Sequence, residues 1–107
     1  MLYFDFEAGN KAYKLKLSTR NTVALEKALG CNPFAIFGSG DTIPTITSMV
    51  TILWASLQQY HHGITMNDAY DIFDAYLEEH TITDFIPVIV EIYRVSGIFP
   101  KDVEEKN

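Results

Sequence analysis

The sequence predicts an α+β fold, an N-terminal β-hairpin packed on a bundle of about four helices, and three observations carry that prediction. Apolar and polar residues alternate on both sides of Gly9-Asn10 between Leu2 and Leu17. Four later stretches space their apolar residues for helices. Ser, Thr or Asp stands at the start of each, and Gly30, Gly63 and Gly97 close three of them. With 107 residues, 48% of them apolar, the chain is sized for one domain that withdraws roughly two-thirds of its unfolded surface from water. Residues 1–100 are expected to form that domain, and the acidic stretch 101–107 to be a disordered tail.

The hairpin comes first. A two-residue turn at Gly9-Asn10 sets Ala8 against Lys11, Phe6 against Tyr13, Phe4 against Leu15 and Leu2 against Leu17 on one face. On the other face Asp5 meets Lys14, with Glu7 and Lys16 nearby, so apolar alternation and opposite charge select the same register. An isolated hairpin is marginal, and this apolar face must therefore lie on helices.

Ser18 or Thr19 can cap the first helix, whose apolar side is Val23, Leu25, Ala28 and Leu29, and Gly30 can take the left-handed residue that ends it. Asn32-Pro33 opens a short turn through Phe37, and Gly38-Ser39-Gly40 follows as a hinge-like loop. Asp41 or Thr42 can start the second helix with Pro44 in its first turn. From Thr42 to Asn67 there is no Asp, Glu, Lys or Arg. Ile43, Ile46, Val50, Leu53, Trp54, Leu57 and Tyr60 form its apolar arc, and Gly63 ends it. The opposite arc, Thr45, Ser48, Ile52, Ala55, Ser56 and Gln59, is uncharged too, which predicts that a neighbouring element or another subunit covers it.

Thr65 and Asp68 make a capping-box start for the third helix, with Met66, Ala69, Tyr70, Phe73, Tyr76 and Leu77 facing inward. Asp68, Asp71, Asp74, Glu78 and Glu79 gather on its other side without lysine partners, a solvated face or, alternatively, a docking strip for a basic partner. Residues 88–95 are rich in branched side chains and suit a buried strand as well as a helix by periodicity. Thr81 or Thr83 as cap, Pro87 in the first turns and Gly97 as stop favour a helix from Asp84 to Ser96.

Chemistry is sparse. The net charge of −6, with few and scattered basic residues, excludes nucleic acid and an anionic membrane surface as natural partners. A membrane span over Thr42 to Asn67 is interrupted by Ser, Thr, Gln and Pro44. Adjacent His61 and His62 diverge by about 100 degrees on a helix and cannot share a metal, so they are expected to face the last carbonyls of the second helix. Cys31 is expected to be a small buried apolar group, and Trp54 part of the core. With no phosphate loop, no HExxH and no carboxylate pair in an evident cleft, neither an enzyme nor a cofactor, metal or small-molecule substrate is expected. The single cysteine points to a reducing, cytoplasmic compartment.

Leu15-Lys16-Leu17-Ser18-Thr19-Arg20, Leu25-Glu26-Lys27-Ala28-Leu29-Gly30 and Asn32-Pro33-Phe34-Ala35-Ile36-Phe37, in that order and spacing, resemble the tail assembly chaperones of long-tailed bacteriophages and prophages of Gram-positive bacteria. So do Leu53-Trp54-Ala55-Ser56-Leu57 with His62-Gly63, and the ending Val95-Ser96-Gly97. Cys31 departs from the pattern, standing where a lysine is more usual. The resemblance implies a cytoplasmic protein, absent from the mature virion, that coats the tape measure protein, keeps it soluble and recruits tail tube subunits without catalysis. Such a coat needs many copies, and self-association is expected through Thr45, Ser48, Ile52, Ala55, Ser56 and Gln59. The alternative from another class is a small bacterial adaptor or regulatory module that binds one protein partner.

Overall fold

The computed structural model describes residues 2–38 and 43–100. Two strands, β1 (Phe4–Ala8) and β2 (Lys11–Leu15), precede α1 (Thr19–Leu29), a 3-10 turn (Pro33–Phe37), α2 (Ile46–Leu57), α3 (Met66–Tyr76) and α4 (Phe85–Val95). This is an α+β fold with the hairpin at the N-terminal end. Residues 39–42, which include the proposed caps Asp41 and Thr42 and most of the hinge-like loop, lie outside the described residues, as does the 101–107 tail.

The hairpin adopts the register that alternation predicts, with Phe4 opposite Leu15, Asp5 opposite Lys14, Phe6 opposite Tyr13 and Ala8 opposite Lys11. Gly9 and Asn10 have φ of 59° and 69°, the paired positive values of a type I′ turn, whose twist suits the flanking strands. Phe6, Leu15 and Leu17 are buried, whereas Leu2 precedes the strand and is exposed instead of packing opposite Leu17. Cross-strand charge plays a different part from the one expected. The Lys14 ammonium lies 5.0 Å from the Tyr3 ring centroid and 5.9 Å from that of Tyr60, rather than in an ion pair with Asp5. At an exposed site the gain from an aromatic face matches or exceeds that from a carboxylate.

Helix ends follow local chemistry. Ser18 Oγ accepts the Asn21 N–H at the start of α1, and Gly30 takes φ of 76° at its end. Thr65 and Asp68 form the predicted capping box of α3. A second reciprocal pair, Thr81 N–H to Asp84 Oδ2 at 2.9 Å and Asp84 N–H to Thr81 Oγ1 at 3.3 Å, leads into α4. Residues 88–95 are therefore helical, with Pro87 inside the first turn, where its missing N–H costs least.

The second helix is shorter than its composition suggests. It starts at Ile46, after Thr45 Oγ1 caps the Ser48 N–H at 3.0 Å, because Pro44 disfavours a helical Ile43 and Thr45 offers the next hydroxyl. It stops at Leu57, well before Gly63. The Gln58 amide donates to the Trp54 carbonyl at 3.0 Å and the Ile64 carbonyl at 2.8 Å, folding the chain into a loop. This helix is the hub of the fold, packed against α1, α3, α4 and β2. Met49 to Leu53 and Ala55 to Leu57 are all buried along it.

Candidate functional site

Where α1, α2 and α3 meet, their side chains leave an open apolar groove of about 510 Å³. Ile46, Thr47, Val50 and Thr51 of α2 form one wall. Met66, Tyr70, Phe73, Asp74 and Leu77 of α3 form the other, and Ala28 and Ile82 close the ends. The groove has this character because α2 carries no charge and α3 turns its Met66–Tyr70–Phe73–Leu77 stripe toward it. Thr51 donates its hydroxyl to the Thr47 carbonyl at 2.6 Å, so it presents a methyl rather than a free polar group. Ile46 and Tyr70 keep 55% and 52% of their surface exposed. Two large apolar side chains therefore meet water at a groove whose lining holds one charge, Asp74. Such a surface suits a row of apolar side chains better than a polar small molecule.

The residues proposed from the sequence for self-association do not share one surface. Ile52, Ala55 and Ser56 are fully buried within the chain itself, while Thr45 and Gln59 are exposed and Ser48 is half-buried. The uncharged back of α2 is covered by β2 and α4, and the Ser56 carbonyl accepts the Lys16 N–H at 2.9 Å. Ile46 and Thr47, uncharged and exposed, lie instead at the N-terminal end of α2, where a wheel places Ile46 on the inward arc. Helical periodicity identifies a face, but whether a neighbour reaches the end of that face depends on how helices splay. Tyr70, read as inward, is exposed for the same reason, as is Val23 on α1. Thr47, Thr51 and Ile82 carried no signal of a site in the sequence.

Three further titratable side chains make structural contacts. His61 follows the end of α2, where its own N–H donates to the Leu57 carbonyl at 2.8 Å, and its ring Nε2 accepts the Lys14 N–H at 2.9 Å. Burial, with the nearby Lys14 charge second, holds its pKa below the ordinary histidine value and preserves the accepting lone pair. Tyr76 stacks on His80 at 4.4 Å, and burial followed by the Asp84 charge raises its phenol pKa. Tyr93 donates to the Pro33 carbonyl at 3.1 Å in the core, where burial pushes its phenol above the usual range. Cys31 is exposed rather than buried, and Trp54 is half-buried against the core. Among the described residues no group of three His, Cys, Asp or Glu side chains could hold a metal ion, and no helix is long and apolar enough to cross a membrane.

Fold and groove together define a class: a small α+β domain with an open, largely apolar groove between three helices. The chain belongs to DUF6096, a family of unknown function whose profile matches residues 5–107. Neither curated proteins nor solved structures give a match.

Proposed function

We propose that this chain is a non-enzymatic tail assembly chaperone. In this role the groove between α1, α2 and α3 receives the apolar stripe of a helical tape measure protein, keeping it soluble while tail tube subunits are recruited. The observation that carries the proposal is the open groove with Ile46 and Tyr70 of its lining exposed. A long helical protein without its partners aggregates through its apolar stripe, and covering that stripe removes the driving surface. The sequence resemblance supplies the identity of the client. Copies lining one tape measure protein in the host cytoplasm, without remaining in the virion, complete the proposed role.

Co-expression tests it. This chain is expected to move the tape measure protein of the same phage into the soluble fraction without added nucleotide or metal. Ile46→Asp should weaken the effect at least about tenfold in half-maximal dose, since a charge replaces an apolar contact at the groove. Neutralising Asp71, which does not line the groove, should change it little. A client equally insoluble with and without the chain would remove the chaperone assignment. Stable capture of one small host protein through the same groove would favour the adaptor instead.

A further inference from the structure

We propose that the outer edge of β1 is a second docking site, where an extended partner segment of alternating basic and apolar residues adds a strand to the hairpin. This surface is separate from the helical groove and does not depend on the function proposed for it.

The geometry begins with the turn. A two-residue hairpin makes Ala8–Lys11, Phe6–Tyr13 and Phe4–Leu15 the hydrogen-bonded pairs, so Asp5 and Glu7 direct their backbone N–H and C=O groups away from β2. The two edges of the hairpin are treated differently. Along β2 and just past it two outward N–H groups are already donated within the chain: Lys14 N–H to His61 Nε2, and Lys16 N–H to the Ser56 carbonyl. The outward groups of Asp5 and Glu7 have no hydrogen-bond partner among the described residues. An open edge of this kind is a template for another strand.

Beside the edge runs an open groove of about 370 Å³, lined by Phe4, Asp5, Phe6 and Glu7 of β1 and by Tyr76, His80 and Val88. An added strand would turn alternate side chains toward this groove and the others toward the face that carries Asp5 and Glu7. Both carboxylates are exposed, and neither has an ion-pair partner among the described residues, Lys14 being engaged by Tyr3 and Tyr60. Basic residues on the outer face and apolar ones on the inner face therefore complement the site. A second folded copy does not. Its β1 would bring acid against acid, and beside its lysine-bearing β2 the outward N–H groups of Lys14 and Lys16 are already donated within the chain.

The test uses a dye-labelled, end-blocked peptide alternating lysine and valine, titrated with the full chain by fluorescence anisotropy. Saturable binding is expected, with the Asp5 and Glu7 amides becoming protected from hydrogen exchange. Successive N–H groups of a strand point to opposite edges, so methylating one alternate set of peptide nitrogens should abolish binding while methylating the other set is tolerated. The isosteric pair Asp5→Asn with Glu7→Gln should weaken binding about tenfold, with unchanged circular dichroism. Asp5→Lys with Glu7→Lys should transfer preference to a glutamate–valine peptide. No binding, equal binding of both methylated peptides, or equal binding of the two charge types would overturn the proposal. So would concentration-dependent protection of Asp5 and Glu7 without peptide, which would make the occupant a second copy.

Discussion

His61 shows how one side chain can do work that its type does not announce. Its ring nitrogen closes the outer edge of β2 by accepting the Lys14 N–H, and only the unprotonated ring can accept. Its folded pKa is lowered from 6.5, so as pH falls the unfolded chain takes the proton first. The associated stability is complete above the unfolded value and is lost as pH falls from about 6.5 through the lower folded pKa. Chemical denaturation at about pH 7 and about pH 5 should therefore show a fall in stability that is shallower in His61→Gln, because that variant lacks the titration. An identical fall in both proteins would mean that the Lys14 contact does not discriminate protonation states. A histidine pair at a chain bend reads in the sequence as a helix cap, since the strand amide it accepts from lies far away in the chain.

Among the elements, the hairpin turn couples local conformation to packing. Gly9 has φ of 59°, and a Cβ there would lie 2.9 Å from the Ala75 Cβ of α3. Gly30 ends α1 at φ of 76° but has open space around it. Alanine costs about 1–2 kcal/mol in either left-handed position, whereas only Gly9→Ala adds a backbone-fixed clash with a helix. Unfolding free energies from urea titrations should place Gly9→Ala below Gly30→Ala by about 1 kcal/mol or more. Equal losses would show that the turn lifts off α3 without cost. The turn itself was legible in the sequence, because Gly-Asn between alternating strands is a local signal. Its seat against Ala75 was not, because that contact joins two elements distant in the chain.

At the scale of the whole molecule, the second helix decides which substitutions unfold the domain and which alter its surface. Ile52 is fully buried, and Ile52→Arg places an unpaired charge in the core at a cost above about 3 kcal/mol, a large part of the roughly 5–15 kcal/mol that holds a domain together. Ile46 sits at the start of the same helix with more than half of its surface exposed, where an aspartate also suits the helix dipole. Ile46→Asp should leave stability within about 0.5 kcal/mol. Thermal melts followed by circular dichroism should thus separate an unfolded Ile52→Arg from a native-like Ile46→Asp. A folded Ile52→Arg that merely formed smaller particles would return the back of α2 to the surface.

The sequence by itself determined the hairpin and its register, the caps Ser18 and Thr65, the glycine stop at Gly30 and a helix for residues 88–95. Each rests on period, turn type or a capping side chain, which act over a few residues. Only the tertiary structure decided that β2 and α4 cover the back of α2, removing Ile52, Ala55 and Ser56 from any surface. It alone placed Ile46 and Tyr70 on an open groove, and it engaged the Lys14 and Lys16 N–H groups on one edge of the hairpin while leaving the Asp5 and Glu7 edge unpartnered among the described residues. Those outcomes depend on the angles and offsets at which elements pack, and a helical wheel records the direction of a side chain but not whether a neighbour reaches it.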